Sequence, residues 1–213
     1  MGAAGTGRQR ANGFAEVDRR DGGGSLLIVW DHASNHMPAE FGGLGLGAAD
    51  LLRHIAWDPG ALGVASRMSA NLDAPLVRST ASRLLIDCNR PLDAPDLIAA
   101  SSEMTLIPGN QNLSADERNA RISRFYDPFH DLIEDVLRPR LFRGQQPGLI
   151  AVHSFNPVYR GIDRPWEVGI IHDDDSAWAL GMVENIRSAT NLTVGVNEPY
   201  APNDRVYFTL ERH

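Results

Sequence analysis

The sequence predicts a three-layer α/β/α fold around a mixed central sheet, and three observations carry that expectation. Apolar runs of strand length alternate with stretches of helical apolar period, with no internal repeat or low-complexity segment in the core. The two clearest runs, Ser25–Trp30 and Gly148–Val152, lack the in-out alternation of a strand with one wet face, so they read as strands covered on both sides. A length of 213 residues is enough to bury one sizeable core without a second domain.

Each element follows in order. Met1 to about Gly24 is rich in Gly, Ala and Arg and holds no long hydrophobic period, so residues 1–24 are expected as a mobile tail and 25–213 as the single domain. Leu51, Leu52 and Ile55, then Leu62, Ala65 and Met68, predict helices over 48–56 and 59–72, with Pro59 acceptable in a first turn. Residues 75–79 and 82–88 read as short strands parted by a polar turn, the second ending in Asp87-Cys88-Asn89-Arg90-Pro91. Ser114 with Glu117 three residues on is a capping box, and a long helix is expected from there to about Arg143, with Ile122, Phe125, Phe129, Leu132 and Val136 on one stripe. Residues 166–171 predict a strand, 176–189 an amphipathic helix and 193–196 a further strand, while Tyr207–His213 stays open between a strand and an exposed tail.

Composition removes several functions. The formal net charge of −7 offers no basic footprint for a phosphate backbone, which disfavours nucleic acid, and no apolar run approaches the length that spans a bilayer. All 20 basic residues are arginine, so Schiff-base chemistry and the P-loop, both of which need a lysine, are excluded. One cysteine, Cys88, cannot form an internal disulfide, and the N-terminus lacks a secretory layout, so a reducing cytoplasmic setting is expected. A small-molecule ligand is the expected partner, and no feature of the chain bears on its oligomeric state.

In a three-layer sheet protein, ligands bind beyond the carboxyl ends of strands. His32 and His153 each follow an apolar run directly, and a catalytic zinc site needs three protein ligands and one open position. A carboxylate should complete the set, with Asp58 the first candidate and Asn35 or His36 as substitutes. A lone histidine after a strand is more often a hydrogen-bonding residue than a ligand, so neither one alone argues for a metal. Arg83 and Arg90 bracket the 84–89 run, roughly 20 Å apart if it is extended. Either can clamp an anion, with Asn89 adding an amide donor, although such arginines usually serve in ion pairs that Asp31, Asp87 or Asp93 would supply. Glu211 and His213, two residues apart, would share a face of a strand, and a glutamate there suits a general base. Cys88 reads as a small core residue, and no G-x-S-x-G elbow is present.

Taken together, Asp31-His32-Ala33-Ser34-Asn35, His54-Ile55-Ala56-Trp57-Asp58-Pro59-Gly60-Ala61, Arg83 through Asn89-Arg90-Pro91, His153-Ser154-Phe155 and Thr209-Leu210-Glu211-Arg212-His213 resemble the N-formylglutamate amidohydrolase family, whose fold is similar to zinc carboxypeptidases and aspartoacylase-type deacylases. The resemblance implies one zinc ion held by His32 and His153, with Asp58 inferred as third ligand, and Glu211 as the base that activates water. It further implies Arg83 at the oxyanion and Asn89, Arg90 and His213 as substrate-binding residues. The related carboxypeptidases place a glutamate three residues after the first histidine, where this chain has Asn35, and a further strand and helix are expected after Glu211. The expected activity is cleavage of the N-acyl amide of a small acidic amino acid such as N-formyl-L-glutamate. The alternatives are another N-acyl amino acid or short peptide as substrate, or a non-catalytic protein that binds carboxylates on the same fold.

Overall fold

The computed structural model describes residues 9–10, 13–174 and 176–213. In chain order its strands are β1 (Gln9–Arg10), β2 (Ala15–Asp18), β3 (Leu26–Trp30), β4 (Leu76–Ser79), the short pair β5 (Ser101–Ser102) and β6 (Thr105–Leu106), and β7 (Gly148–Ala151). Five of them align as β1-β2-β4-β3-β7. β3 is parallel to β4 and to β7, while β2 is antiparallel to β4 and β1 to β2, so the central sheet is mixed, as expected.

Part of the segment expected as a tail is a strand of this sheet. Ala15 and Val17 are fully buried, paired with Ser79 and Val77, and between them Glu16 accepts a hydrogen bond from Arg78 Nη2 at 3.0 Å. Two alternating apolar residues are too short a signal to separate a strand from a glycine-rich coil. The remainder of the expected tail includes residues 1–8 and 11–12, which lie outside the described residues. Buried Arg140, from the far end of the chain's longest helix, donates from Nη2 to the Gly22 carbonyl at 2.5 Å and helps fix the turn that leads into β3.

Strand alternation divides the side chains between two faces. Ile28 and Trp30 of β3 and Leu76 of β4 form one apolar cluster with Ala61 and Ala65 of the helix α2 (Ala61–Asn71), which follows the single turn α1 (Ala48–Leu51). Leu27, Val29 and Val77 alternate with them and are also wholly buried. β2 and β4 are covered by the long helix that runs as α3 (Ala115–Arg121), a wide π turn at Ile122–Tyr126, and α4 (Asp127–Phe142). Its start is the expected capping box: Ser114 Oγ accepts from the Glu117 amide at 3.2 Å, and the Glu117 carboxylate accepts from the Ser114 amide at 2.8 Å.

One expected strand does not form. Residues 82–88 are a buried, irregular run: Leu84, Leu85, Ile86 and Cys88 are each under 4% exposed, yet none joins a ladder. Side chains satisfy its backbone instead, with Asn110 Nδ2 donating to the Leu84 carbonyl at 2.8 Å and Arg121 Nη1 to that of Leu85 at 3.0 Å. A short apolar run reports burial without specifying the ladder that would make it a strand.

The chain divides into two compact units, one running up to Ser154 and taking in Arg212–His213, the other Phe155–Glu211. The second unit holds the hairpin β8 (Val158–Tyr159) and β9 (Ile162–Asp163), the parallel pair β10 (Val168–Ile170) and β11 (Val194–Val196), and the helix α5 (Ser176–Ala189), which packs on β11. The last helix, α6, is Phe208–Arg212. The end of the chain is therefore helical, and Glu211 and His213 do not share a strand face. Among the described residues no helix is long and apolar enough to cross a membrane.

Two predictions follow from packing. Gly169 and Gly195 are register partners, and a Cβ on Gly195 would sit 2.7 Å from the Glu198 carbonyl oxygen and 2.8 Å from Trp166 Cδ1. Gly195→Ala should therefore destabilise the second unit by about 1–3 kcal/mol through overpacking, seen as faster hydrogen exchange in β10 and β11. Buried His130 on α4 has its pKa pushed down to about 3, by burial first and then by the Arg212 charge. Between that value and the ordinary 6.5 the unfolded chain binds a proton that the folded one does not. Stability is thus intact above pH 6.5 and falls as pH drops toward 3, by at most about 1.4 kcal/mol per pH unit. Urea midpoints of His130→Asn should lack this part of the slope, and identical slopes in both proteins would exclude it.

Candidate metal centre

Three segments that are far apart in sequence meet at one end of the sheet. β3 ends at Trp30 and delivers Asp31-His32, while β7 ends at Ala151 and delivers His153 after Val152, whose amide still donates to the Val29 carbonyl at 3.0 Å. Because β3 and β7 are parallel neighbours, their carboxyl ends emerge side by side, and the rings of His32 and His153 lie 4.9 Å apart. Asp58 enters from the loop before α2, where its amide donates to the His32 carbonyl at 2.9 Å and its own carbonyl accepts from the Ala61 amide at 3.2 Å. Asp58 Oδ2 then lies 3.4 Å from His32 Nδ1 and 3.0 Å from His153 Nδ1. One ligand atom from each of the three residues falls within 4.8 Å of the others.

Both imidazoles are held from behind by carboxylates. His32 Nε2 is 2.7 Å from Asp87 Oδ1, and His153 Nε2 is 3.2 Å from Asp31 Oδ2. Asp87 also accepts from Arg83 Nη2 at 2.5 Å and from the Asn89 amide at 2.9 Å. The Arg83–Asp87 pairing, four residues apart, requires the compact course of 82–88, since an extended strand would separate those residues by about 13 Å. Arg83 Nη1 reaches within 3.3 Å of His32 Nδ1, placing the guanidinium at the rim of the cluster. His32, Asp31, Asp58 and Asp87 are buried, whereas the His153 side chain keeps 29% of its surface exposed and marks the open side.

The electrostatics are those of a place that wants a cation. Burial would raise the Asp58 and Asp87 carboxyls, but the histidines beside the first, and Arg83 and His32 beside the second, hold both below the usual carboxylate range. Burial would lower His153, but Asp31 and Asp58 outweigh it and lift its pKa to about 10. Three carboxylates thus stand against the guanidinium bonded to Asp87, a deficit of positive charge that a proton on His153 offsets only in part. Two neutral imidazole nitrogens and one carboxylate oxygen, with the His32 ring oriented by Asp87 and the Asp31 carboxylate 3.2 Å from the far nitrogen of His153, are a donor set that fits a divalent ion such as zinc.

The alternatives for the third donor go elsewhere. Asn35 donates from Nδ2 to the Leu51 carbonyl at 2.9 Å, and the His36 ring stacks on Phe14 at 6.1 Å. Arg90 donates from Nε to Asp96 Oδ2 at 3.0 Å and from Nη1 to the Asn89 carbonyl at 2.9 Å. Asn89 is buried beside it. His213 lies against His130, 2.9 Å between Nε2 and Nδ1, and Glu211 sits on α6. Asp87 is the arginine partner that the sequence allowed, but the place of Asp31 and Asp87 behind the histidine rings was not read from the sequence. They were legible only as partners for arginines, although the adjacency of Asp31 to His32 and the place of Asp87 beside Asn89-Arg90 kept them near the site.

Comparisons with known proteins bear on the fold and the family. A crystal structure of a gene product from Agrobacterium tumefaciens superposes with a TM-score of 0.90 at 43% identity, covering 93% of this chain and 79% of that one. The crystal structure of an N-formylglutamate amidohydrolase from Ralstonia eutropha shares the fold, with a TM-score of 0.66 at 18% identity over 88% of this chain and 75% of that one. No curated protein gives a significant match to the sequence. The N-formylglutamate amidohydrolase family model matches residues 24–213. With nearly the whole chain inside that match, the protein belongs to the N-formylglutamate amidohydrolase family.

Proposed function

We propose that the protein is a metal-dependent amidohydrolase that cleaves N-formyl-L-glutamate, or a close N-acyl relative, to the free amino acid and the carboxylic acid of the acyl group. The observation that carries this reading is the convergence of His32, Asp58 and His153 at the carboxyl ends of β3 and β7. His32 and His153 would hold the ion through their Nδ1 atoms and Asp58 through a carboxylate oxygen. A divalent ion at this place supplies Lewis acidity, which polarises the substrate carbonyl and makes water acidic enough to be deprotonated near neutral pH.

The chain's own residues do the rest. Glu211 takes the proton from the attacking water as the C–O bond forms, then passes it to the leaving nitrogen as the C–N bond breaks, so that no net proton is consumed. Arg83, anchored on Asp87, offers its guanidinium to the developing oxyanion, where a fixed positive charge acts more strongly than in water. Asn89 and Arg90 receive the substrate carboxylate, and His213, with Nε2 committed to His130, joins them through its other ring nitrogen as acceptor for a substrate N–H.

Purified protein should contain about one zinc per chain and release formate and L-glutamate from N-formyl-L-glutamate in a chelator-sensitive way. A protein that takes up no metal when zinc is supplied, but still binds the substrate, is instead the carboxylate-binding alternative. His32→Ala and His153→Ala should lose both metal and turnover, and Asp87→Asn should keep the ligands but weaken zinc affinity about 10–100-fold by freeing the His32 ring. Glu211→Gln should retain zinc and lose turnover by about 100-fold or more, and Arg90→Ala should mainly raise KM. Undiminished kcat in Glu211→Gln would remove that residue from the mechanism.

A further inference from the structure

Buried on the inner face of the long helix lies a polar cluster that the proposed chemistry leaves unused. Tyr126 and His130 stand four residues apart, with ring centroids 4.4 Å apart, and each links a carbonyl of the 88–90 segment to one of the residues Arg212 and His213. Tyr126 Oη donates to the Arg90 carbonyl at 3.0 Å and accepts from Arg212 Nη1 at 3.3 Å, and the guanidinium carbon lies 5.5 Å from the ring centre. His130 Nε2 is 3.1 Å from the Cys88 carbonyl, and its Nδ1 is 2.9 Å from His213 Nε2.

Chemistry fixes the direction of the second relay. A carbonyl only accepts, so His130 Nε2 carries the proton. His130 sits in a buried setting that keeps it neutral, so its Nδ1 is an acceptor, and His213 must donate from Nε2. The two relays therefore run side by side, Arg212 to Tyr126 to the Arg90 carbonyl and His213 to His130 to the Cys88 carbonyl. The two carbonyls flank Asn89. The same two side chains thus brace the segment that carries Asn89-Arg90 and seize the chain directly after Glu211.

From this geometry we propose that Tyr126 and His130 are positioning residues that tie Arg212 and His213, directly after the general base, to the carboxylate-binding segment. This rests on the roles given above to Glu211 and to Asn89-Arg90. Neither side chain touches substrate in this scheme. Both act through residues 88–90 and 212–213, and a base misplaced by about 1 Å can lose a hundredfold in rate.

The test pairs turnover of N-formyl-L-glutamate with hydrogen exchange of the peptide covering residues 207–213. His130→Phe should keep about one zinc per chain, lower kcat by about tenfold or more, and speed exchange in that peptide. His130→Asn, whose amide oxygen can take the place of Nδ1 as acceptor for His213, should recover kcat better than His130→Gln, whose longer amide reaches toward Cys88 and should instead recover KM. If His130→Phe does not fold, Tyr126→Phe, which removes only one hydroxyl, should speed exchange at 207–213 in the same way. Exchange at 207–213 unchanged in a folded, zinc-loaded variant of either residue would overturn the proposal, as would kcat within twofold of the parent. Should Glu211→Gln keep full kcat while the His130 variants still loosen 207–213, the base assignment fails and the proposed tie to catalysis fails with it, leaving only a structural anchor. Glu211→Gln inactive with 207–213 unchanged in the His130 variants would instead spare the base and overturn the tie alone.

Discussion

The parallel pairing of β3 with β7 is the constraint on which the site depends. Its last register pair is Val29 with Ala151, and continuing two residues along each strand sets Asp31 opposite His153, the pair found 3.2 Å apart. A slip of one residue in either strand would turn every side chain to the other face and separate the two histidines. The apolar cluster beneath them guards that register. Trp30 and Val152, each one residue before the polar tip of its strand, pack in it with Ala61, three residues after Asp58. All three segments that supply the candidate ligands are therefore anchored in the same few side chains, which is how a site gains rigidity without rigid loops.

The polar side of the arrangement is unfavourable for folding by itself. Three carboxylates and two imidazoles lie together with little water, and desolvated charges stabilise a fold only where each is met by a partner of good geometry. Here Asp87 is met by Arg83, by His32 and by a backbone amide, and Asp58 by two histidines. A core that can carry such a cluster is one in which function rather than stability has chosen the residues. Arginine suits position 83, since its planar fork can bond Asp87 and reach toward His32 at once where an ammonium would serve as a single point charge.

Much of this was legible in the sequence because it was encoded in continuous runs. The β3 and β7 runs, the capping box at Ser114 and the histidines after two strands are local signals, and they led to the sheet and to His32, Asp58 and His153. Long-range signals were not legible. Nothing local separates the 82–88 run from a strand, because its irregular course is set by Asn110 and Arg121, which arrive from far along the chain. β2 was hidden for the reason that its partner, β4, lies some sixty residues away and its own apolar pattern is only two residues long. The helical end at Phe208–Arg212 was not foreseen, since a five-residue segment gives too few positions to tell one period from another.

The wide turn at Ile122–Tyr126 has a consequence of phase. In an unbroken α-helix, five residues advance about 500°, so side chains at 121 and 126 would point about 140° apart. The added width of a π turn brings them back toward one direction. Arg121, Tyr126 and His130 can then all grip the stretch from Leu85 to Arg90, each through a backbone carbonyl. The helix works as a key whose teeth align only because one turn holds an extra residue. Losing a single residue there would leave the helix intact as a helix while rotating everything after it away from its lock.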